Sequence, residues 1–191
     1  VSGTQTGFTM DAGITAPKLK CTRADRAIAP SVGGFYGTGS TDFSEAAVFV
    51  GCIRGKPHYW AAFVLNGTVR RFPKLKIQPG DTVILSANLN STQTTLSVDD
   101  KTKFSKTLTG AGVTGTRSPW VGDSGWYTSS GALEGVPQFG KISFNGIFFD
   151  STELGTHLGL KQFDRYKGST LQIVAGAITN QETFETVFKH S

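Results

Sequence analysis

No window of twelve residues in this chain carries a helical repeat, whereas short runs of alternating polar and apolar residues recur between turn residues. That pattern is the strongest constraint on the fold. Strands are expected at Ala46–Ile53, Tyr59–Leu65, Thr82–Asn88, Thr94–Val98, Lys103–Thr109, Lys141–Phe149, Leu171–Ala177 and Phe184–Lys189. Gln78-Pro79-Gly80-Asp81 reads as a type II turn, with Pro and Gly at its central positions. Asp99-Asp100 reads as a hairpin turn, and Thr152–Gly159 holds at most a turn or two of helix. The 24 glycines and 17% charged residues agree with an all-β chain rich in turns. So many strands in 191 residues predict one domain, residues 1–191, built as an antiparallel β-sandwich.

The net charge is +5 and the pI is near 9.3. Cations fall in small groups: Lys18 and Lys20, Arg70 and Arg71, Lys74 and Lys76, and Lys101 to Lys106. Lys74-Leu75-Lys76-Ile77 and Lys101-Thr102-Lys103 read as solvated strand faces. A nucleic-acid footprint needs such groups on one surface with aromatics for stacking. No nucleic-acid partner is therefore expected, and attraction to acidic polysaccharide or cell wall is the better match. No run of 18 apolar residues exists, so no membrane insertion is expected. The opening at Val1 reads as a processed or trimmed product, and the expected setting is extracellular, as a monomer.

Cys21 and Cys52 are the two cysteines. An even count in an exported Gly- and Thr-rich domain favours a disulfide over two buried thiols. His58, His157 and His190 are isolated, with no metal-ligand spacing, so neither metal nor cofactor is expected. Gly122-Asp123-Ser124-Gly125 is like a serine-peptidase motif, but Trp126 replaces its last glycine and no supporting His motif exists. Gly110 to Gly115 lacks a P-loop lysine and reads as a surface loop, and Glu134 reads as a solvated loop residue.

Glu45 stands out. It sits among Phe43, Ala46, Ala47 and Val48 in a chain with only 14 acids. A carboxylate in a half-buried strand costs several kcal/mol unless paired, hydrogen-bonded or protonated, so it is either turned outward or held for chemistry.

Read in order, several segments resemble the eqolisins, the secreted glutamic peptidases, and in particular the actinobacterial type with a cysteine pair. Gly7-Phe8-Thr9 and Ile14-Thr15-Ala16-Pro17 are similar to the family's opening strand. Gln78-Pro79-Gly80-Asp81, Val136-Pro137-Gln138-Phe139-Gly140 with Ile142-Ser143-Phe144, and Phe184 to Ser191 are similar to later ones. Cys21 and Cys52 match the cysteine positions of that branch. The resemblance implies a sandwich of two curved antiparallel sheets, concanavalin-like.

It also implies a dyad, a Gln before the second cysteine and a Glu closing a W-I-V-E motif. Those positions hold Glu45 and Asp123 here, the latter in Trp120-Val121-Gly122-Asp123. Tyr36 replaces an acid of the family's cleft, and Ala61-Ala62-Phe63-Val64 lacks its Trp and Glu. Two carboxylates facing one water share a proton. Asp123 as base and Glu45 as neutral donor would then hydrolyse peptide bonds in acid. The shorter Asp side chain must keep its place, because an error near 1 Å costs about 10²-fold. The same pair fits glycoside cleavage across a groove, with Tyr36, Trp120, Trp126 and Tyr127 as stacking residues. A non-catalytic binding domain is the third reading. The expected partner is a polypeptide or polysaccharide substrate.

Overall fold

The computed structural model describes residues 7–22, 26–37, 39, 41–114, 118–125, 135–156, 160–167 and 169–189. Two antiparallel sheets face each other. The larger is built from β1 (Gly7–Thr15), β6 (Thr82–Asn90), β7 (Gln93–Asp100), β8 (Phe104–Ala111), β10 (Lys141–Phe149), β11 (Thr152–Glu153), β12 (Arg165–Lys167), β13 (Thr170–Ala175) and β14 (Phe184–Phe188). Its order is β12-β13-β14-β10-β1-β6-β7-β8, with β11 paired to β10. The smaller holds β2 (Arg26–Phe35), β3 (Phe43–Ile53), β4 (Lys56–Leu65), β5 (Thr68–Phe72) and β9 (Ser118–Gly125), in the order β5-β4-β3-β2-β9. The only helical element among the described residues is a 3-10 turn at Leu154–Thr156, and no helix is long and apolar enough to cross a membrane.

The core lies between the sheets and follows strand alternation. Phe8, Met10, Ala12 and Ile14 of β1 and Val83, Leu85, Ala87 and Leu89 of β6 meet Ile28, Val32, Ala46, Val48, Val50 and Phe63 of the smaller sheet. In β10 the buried parity switches, from Ile142 and Phe144 to Ile147 and Phe149. An extra residue causes it: Gly13 pairs with Asn145, yet Asp11 pairs with Phe148. Gly146, at φ 56°, sits within this bulge.

Tight hairpins join the strands. Arg54-Gly55 and Asn66-Gly67 each place two consecutive residues at positive φ, the type I′ geometry that matches strand twist. The expected turn at Gln78–Asp81 forms, with Asp81 N–H donating to the Gln78 carbonyl at 3.1 Å and Gly80 at φ 92°. A disulfide joins Cys21, after β1, to Cys52 on β3, with Cα atoms 5.4 Å apart.

Three expectations need correction. Residues 74–77 and 101–103 are not strand faces; the first is an irregular link and the second the turn between β7 and β8. The lysines there are exposed because those turns project from the sheets. Asp99 and Asp100 close β7 rather than form the turn; the Asp100 carboxylate accepts the N–H and hydroxyl of Thr102 and so organises it. Gly110 belongs to β8 and pairs with Thr94 rather than lying in a loop.

Candidate functional site

The smaller sheet has a second face, turned away from the core. Strand alternation brings Ala27 and Ala29 of β2, Ala47 and Phe49 of β3, and Trp60 and Ala62 of β4 onto it, where they form a separate buried cluster. Four alanines make a low floor. Phe49 and Trp60 stack at one end of it, ring centroids 3.7 Å apart and planes within 6°. The Trp60 indole N–H has no hydrogen-bond partner among the described residues.

Glu45 stands on this face toward the other end. It pairs with Val64 on β4 and Gly33 on β2, and Gly33 pairs in turn with Trp120 on β9. Glu45 is only 5% exposed, and its Oε2 is shielded from solvent. Gly33 leaves a gap in the row between the carboxylate and the indole. A Cβ there would lie 2.7 Å from the Glu45 Cβ and collide with the Ser44 carbonyl. Trp120 donates its N–H to Ser31 Oγ at 3.2 Å. Its ring meets Phe35 at 4.7 Å and Phe43 at 6.1 Å between centroids. Phe35 is 49% exposed, so an aromatic wall open to water flanks the buried acid.

Asp123 lies on the same sheet, with both carboxylate oxygens shielded from solvent. Its register partner on β2 is Pro30, three residues along from Gly33, the partner of Glu45. That is an offset of about 10 Å along the strand. Alternation also separates the two. Gly33, Glu45 and Trp120 share the outer face, whereas Asp123 has the parity of Val121, which packs against the core between the sheets. Gly122, at φ 147°, stands between Val121 and Asp123, in a conformation that side chains rarely adopt. The register therefore joins Glu45 with Trp120 and does not set Glu45 opposite Asp123.

Tyr36 closes β2. Its hydroxyl donates to Asn66 Oδ1 at 2.5 Å and lies 3.3 Å from the Phe43 carbonyl, tying β2 to the β4–β5 hairpin. Burial pushes its pKa up, and Asp42 adds to this against the effect of Ser44. Trp126 and Tyr127, together with Glu134, His157 and His190, lie outside the described residues. Ser124 pairs with Ala29 along β9. His58 meets Trp60 edge-on, at 6.3 Å between centroids. Among the described residues, no group of three His, Cys, Asp or Glu side chains comes together to hold a metal.

The alanine floor and the Phe49–Trp60 stack were missed in the sequence. The signal was the doubled alanines, Ala46-Ala47 and Ala61-Ala62, in paired strands. One of each pair faces the core and the other faces outward.

No protein-family model matches the sequence, and no curated protein matches it. The fold is that of the glutamic peptidases. Scytalido-glutamic peptidase with a transition state analog inhibitor matches 96% of this chain and 93% of its own, at TM-score 0.72 and 12% identity. The same enzyme with a peptide-based transition state analog matches at TM-score 0.71. Aspergilloglutamic peptidase from Aspergillus niger matches 86% of this chain and 99% of its own, at TM-score 0.67 and 13% identity. At such identities the likeness is one of fold.

Proposed function

We propose that this protein is an extracellular hydrolase of peptide bonds whose reacting group is Glu45. One observation carries the reading: a carboxylate buried on the outer sheet face, beside an open aromatic wall, in a fold shared with scytalido-glutamic peptidase, which binds a peptide-based transition state analog. Buried ionisable groups gather at sites of chemistry, where burial tunes their protonation. The Cys21–Cys52 disulfide supports the extracellular setting.

In this reading a peptide lies along the face between Glu45 and Trp120, over Gly33. The Glu45 carboxylate takes a proton from water as the water oxygen adds to the scissile carbonyl. The protonated Glu45 then gives that proton to the leaving amine as the C–N bond breaks. Phe35 and Trp120 hold an apolar substrate side chain. The two-carboxylate version, with Asp123 as base and Glu45 as neutral donor, needs the Asp123 side chain to reach the outer face past Gly122.

Hydrolysis of an unfolded protein substrate across acid pH by Glu45→Gln and Asp123→Asn variants tests these versions. Loss with Glu45→Gln and retention with Asp123→Asn identifies Glu45 as the reacting group. Retention with Glu45→Gln and loss with Asp123→Asn identifies the two-carboxylate version, because the amide still donates. Hydrolysis unaffected by both changes refutes the proposal. Glycoside cleavage by the pair requires two carboxylates across one groove, and the register favours it no further. A binding domain without turnover is favoured by one observation, the register, which pairs Glu45 with Gly33 but Asp123 with Pro30, three residues away.

A further inference from the structure

Members of three of the four cationic groups in the sequence, all but Lys18 and Lys20, meet at one side of the sandwich. β5 is an edge of the smaller sheet and β8 an edge of the larger, and the two edges lie together. Lys106 Nζ of β8 stands 5.4 Å from the centroid of the Phe72 ring of β5. A Cβ on Gly110 of β8 would run into the side chain of Leu65, at the end of β4. The link that follows β5 carries Lys74 and Lys76, and it is tied to the β7–β8 turn by Lys103 and Asp81, 2.6 Å apart.

Arg70, Lys74, Lys76, Lys101 and Lys106, all exposed, lie along this side as a strip, with Lys103 held by Asp81 at its margin, whereas Arg71, paired with Ala62, turns to the outer face. The strip's other acids are Asp99 and Asp100, and Asp100 is buried and bonded to Thr102. Lysines on edge strands discourage pairing between sheets of different molecules. That role explains Lys106. It does not explain Lys74 and Lys76, which stand on an irregular link with no ladder edge to protect.

We infer that this strip binds a linear anionic polysaccharide, at a site separate from the Glu45 face. A dense row of cations gains affinity by releasing the counterions of a polyanion. Nucleic acid in single strands asks in addition for aromatic faces on which bases stack. Phe72 and Phe104, the aromatic residues of the strip, are instead packed against the core. The ligand that fits is a chain with closely spaced carboxylate or sulfate groups and no bases. Such binding would hold the protein on an acidic matrix whether or not Glu45 is catalytic.

Heparin is the probe, with binding to the intact protein measured across a salt series. The expected result is saturable binding that Lys74→Gln with Lys76→Gln weakens at least several-fold, lowering the salt slope by about one per cation removed. Lys161→Gln with Lys189→Gln removes the same charge near β13 and β14, at the opposite side of the larger sheet from β8, and is expected to change little. Absence of heparin binding, or equal weakening by the two pairs, overturns the inference. Tighter binding of a DNA duplex than of heparin at the same salt overturns the choice of ligand. All four lysines are exposed, and the circular dichroism melt of each variant verifies its fold.

Discussion

Glu45 and Trp120 stand on the same face of the smaller sheet, one on either side of Gly33, with which both are in register. The gap between them exists because residue 33 has no side chain. Gly33→Ala places a methyl 2.7 Å from the Glu45 Cβ and against the Ser44 carbonyl, and neither neighbour is a flexible side-chain end. The expected loss of stability is about 1–3 kcal/mol. Urea unfolding measures it, and an unchanged midpoint would show that β2 and β3 are not this close.

Phe35 is half exposed, yet it contacts both Trp120 and Phe43. Phe35→Ala is therefore expected to cost stability only modestly, about 1 kcal/mol for the lost aromatic pairs. Under the proposed function, the same change raises KM several-fold at nearly constant kcat, because it removes binding that substrate and transition state share. A fall in kcat with unchanged KM would place Phe35 outside the substrate wall.

The disulfide closes a sequence separation of 31 residues. In the chain-entropy model its removal costs about 3–4 kcal/mol. Cys21→Ser with Cys52→Ser is expected to lower the unfolding midpoint accordingly, and reductant should shift the wild type toward the same value. A double variant as stable as the wild type would mean that the β3 anchor is redundant.

The Asp100 carboxyl titrates below the ordinary carboxylate range. Burial acts to raise its pKa, but the hydroxyl and N–H of Thr102, with Lys103 nearby, outweigh it. A lowered folded pKa gives stability that is present above the unfolded pKa and lost as pH falls through the folded one. Thr102→Val removes the 2.8 Å hydroxyl bond to Asp100 Oδ1. The expected loss is about 1 kcal/mol at neutral pH. The difference from wild type should close as the pH drops below the ordinary carboxyl range. Melts at pH 7 and in strong acid measure both, and a gap independent of pH would show that Asp100 is not the partner.

The strands legible in the sequence were those with one wet face, such as β7 and the first half of β10, where polar residues mark every second position. β2 was not legible. Its burial on both faces erases the alternation, and Pro30 and the Gly33-Gly34 pair read as breakers. The pairing of β2 with β3 is interrupted at Ala29 and Pro30 and resumes in the same register at Ser31. A proline thus sits in a central strand because the ladder yields there. β9 was hidden for a related reason, since Pro119, Gly122 and Gly125 carry no strand signal.

By itself the sequence determined the all-β class, the turn at Gln78–Asp81, the oddity of Glu45 and the availability of two cysteines to pair. These rest on local chemistry: side-chain period, allowed φ and the cost of burying charge. Tertiary structure decided which residues share a face. The bulge in β10 changes which residues point inward, and the register across β2 joins Glu45 to Trp120 rather than to Asp123. The meeting of β5 with β8 gathers distant lysines into one strip. A shift of one residue in register moves every side chain to the other face. Register is set by pairing between strands far apart in the chain, which no local pattern records.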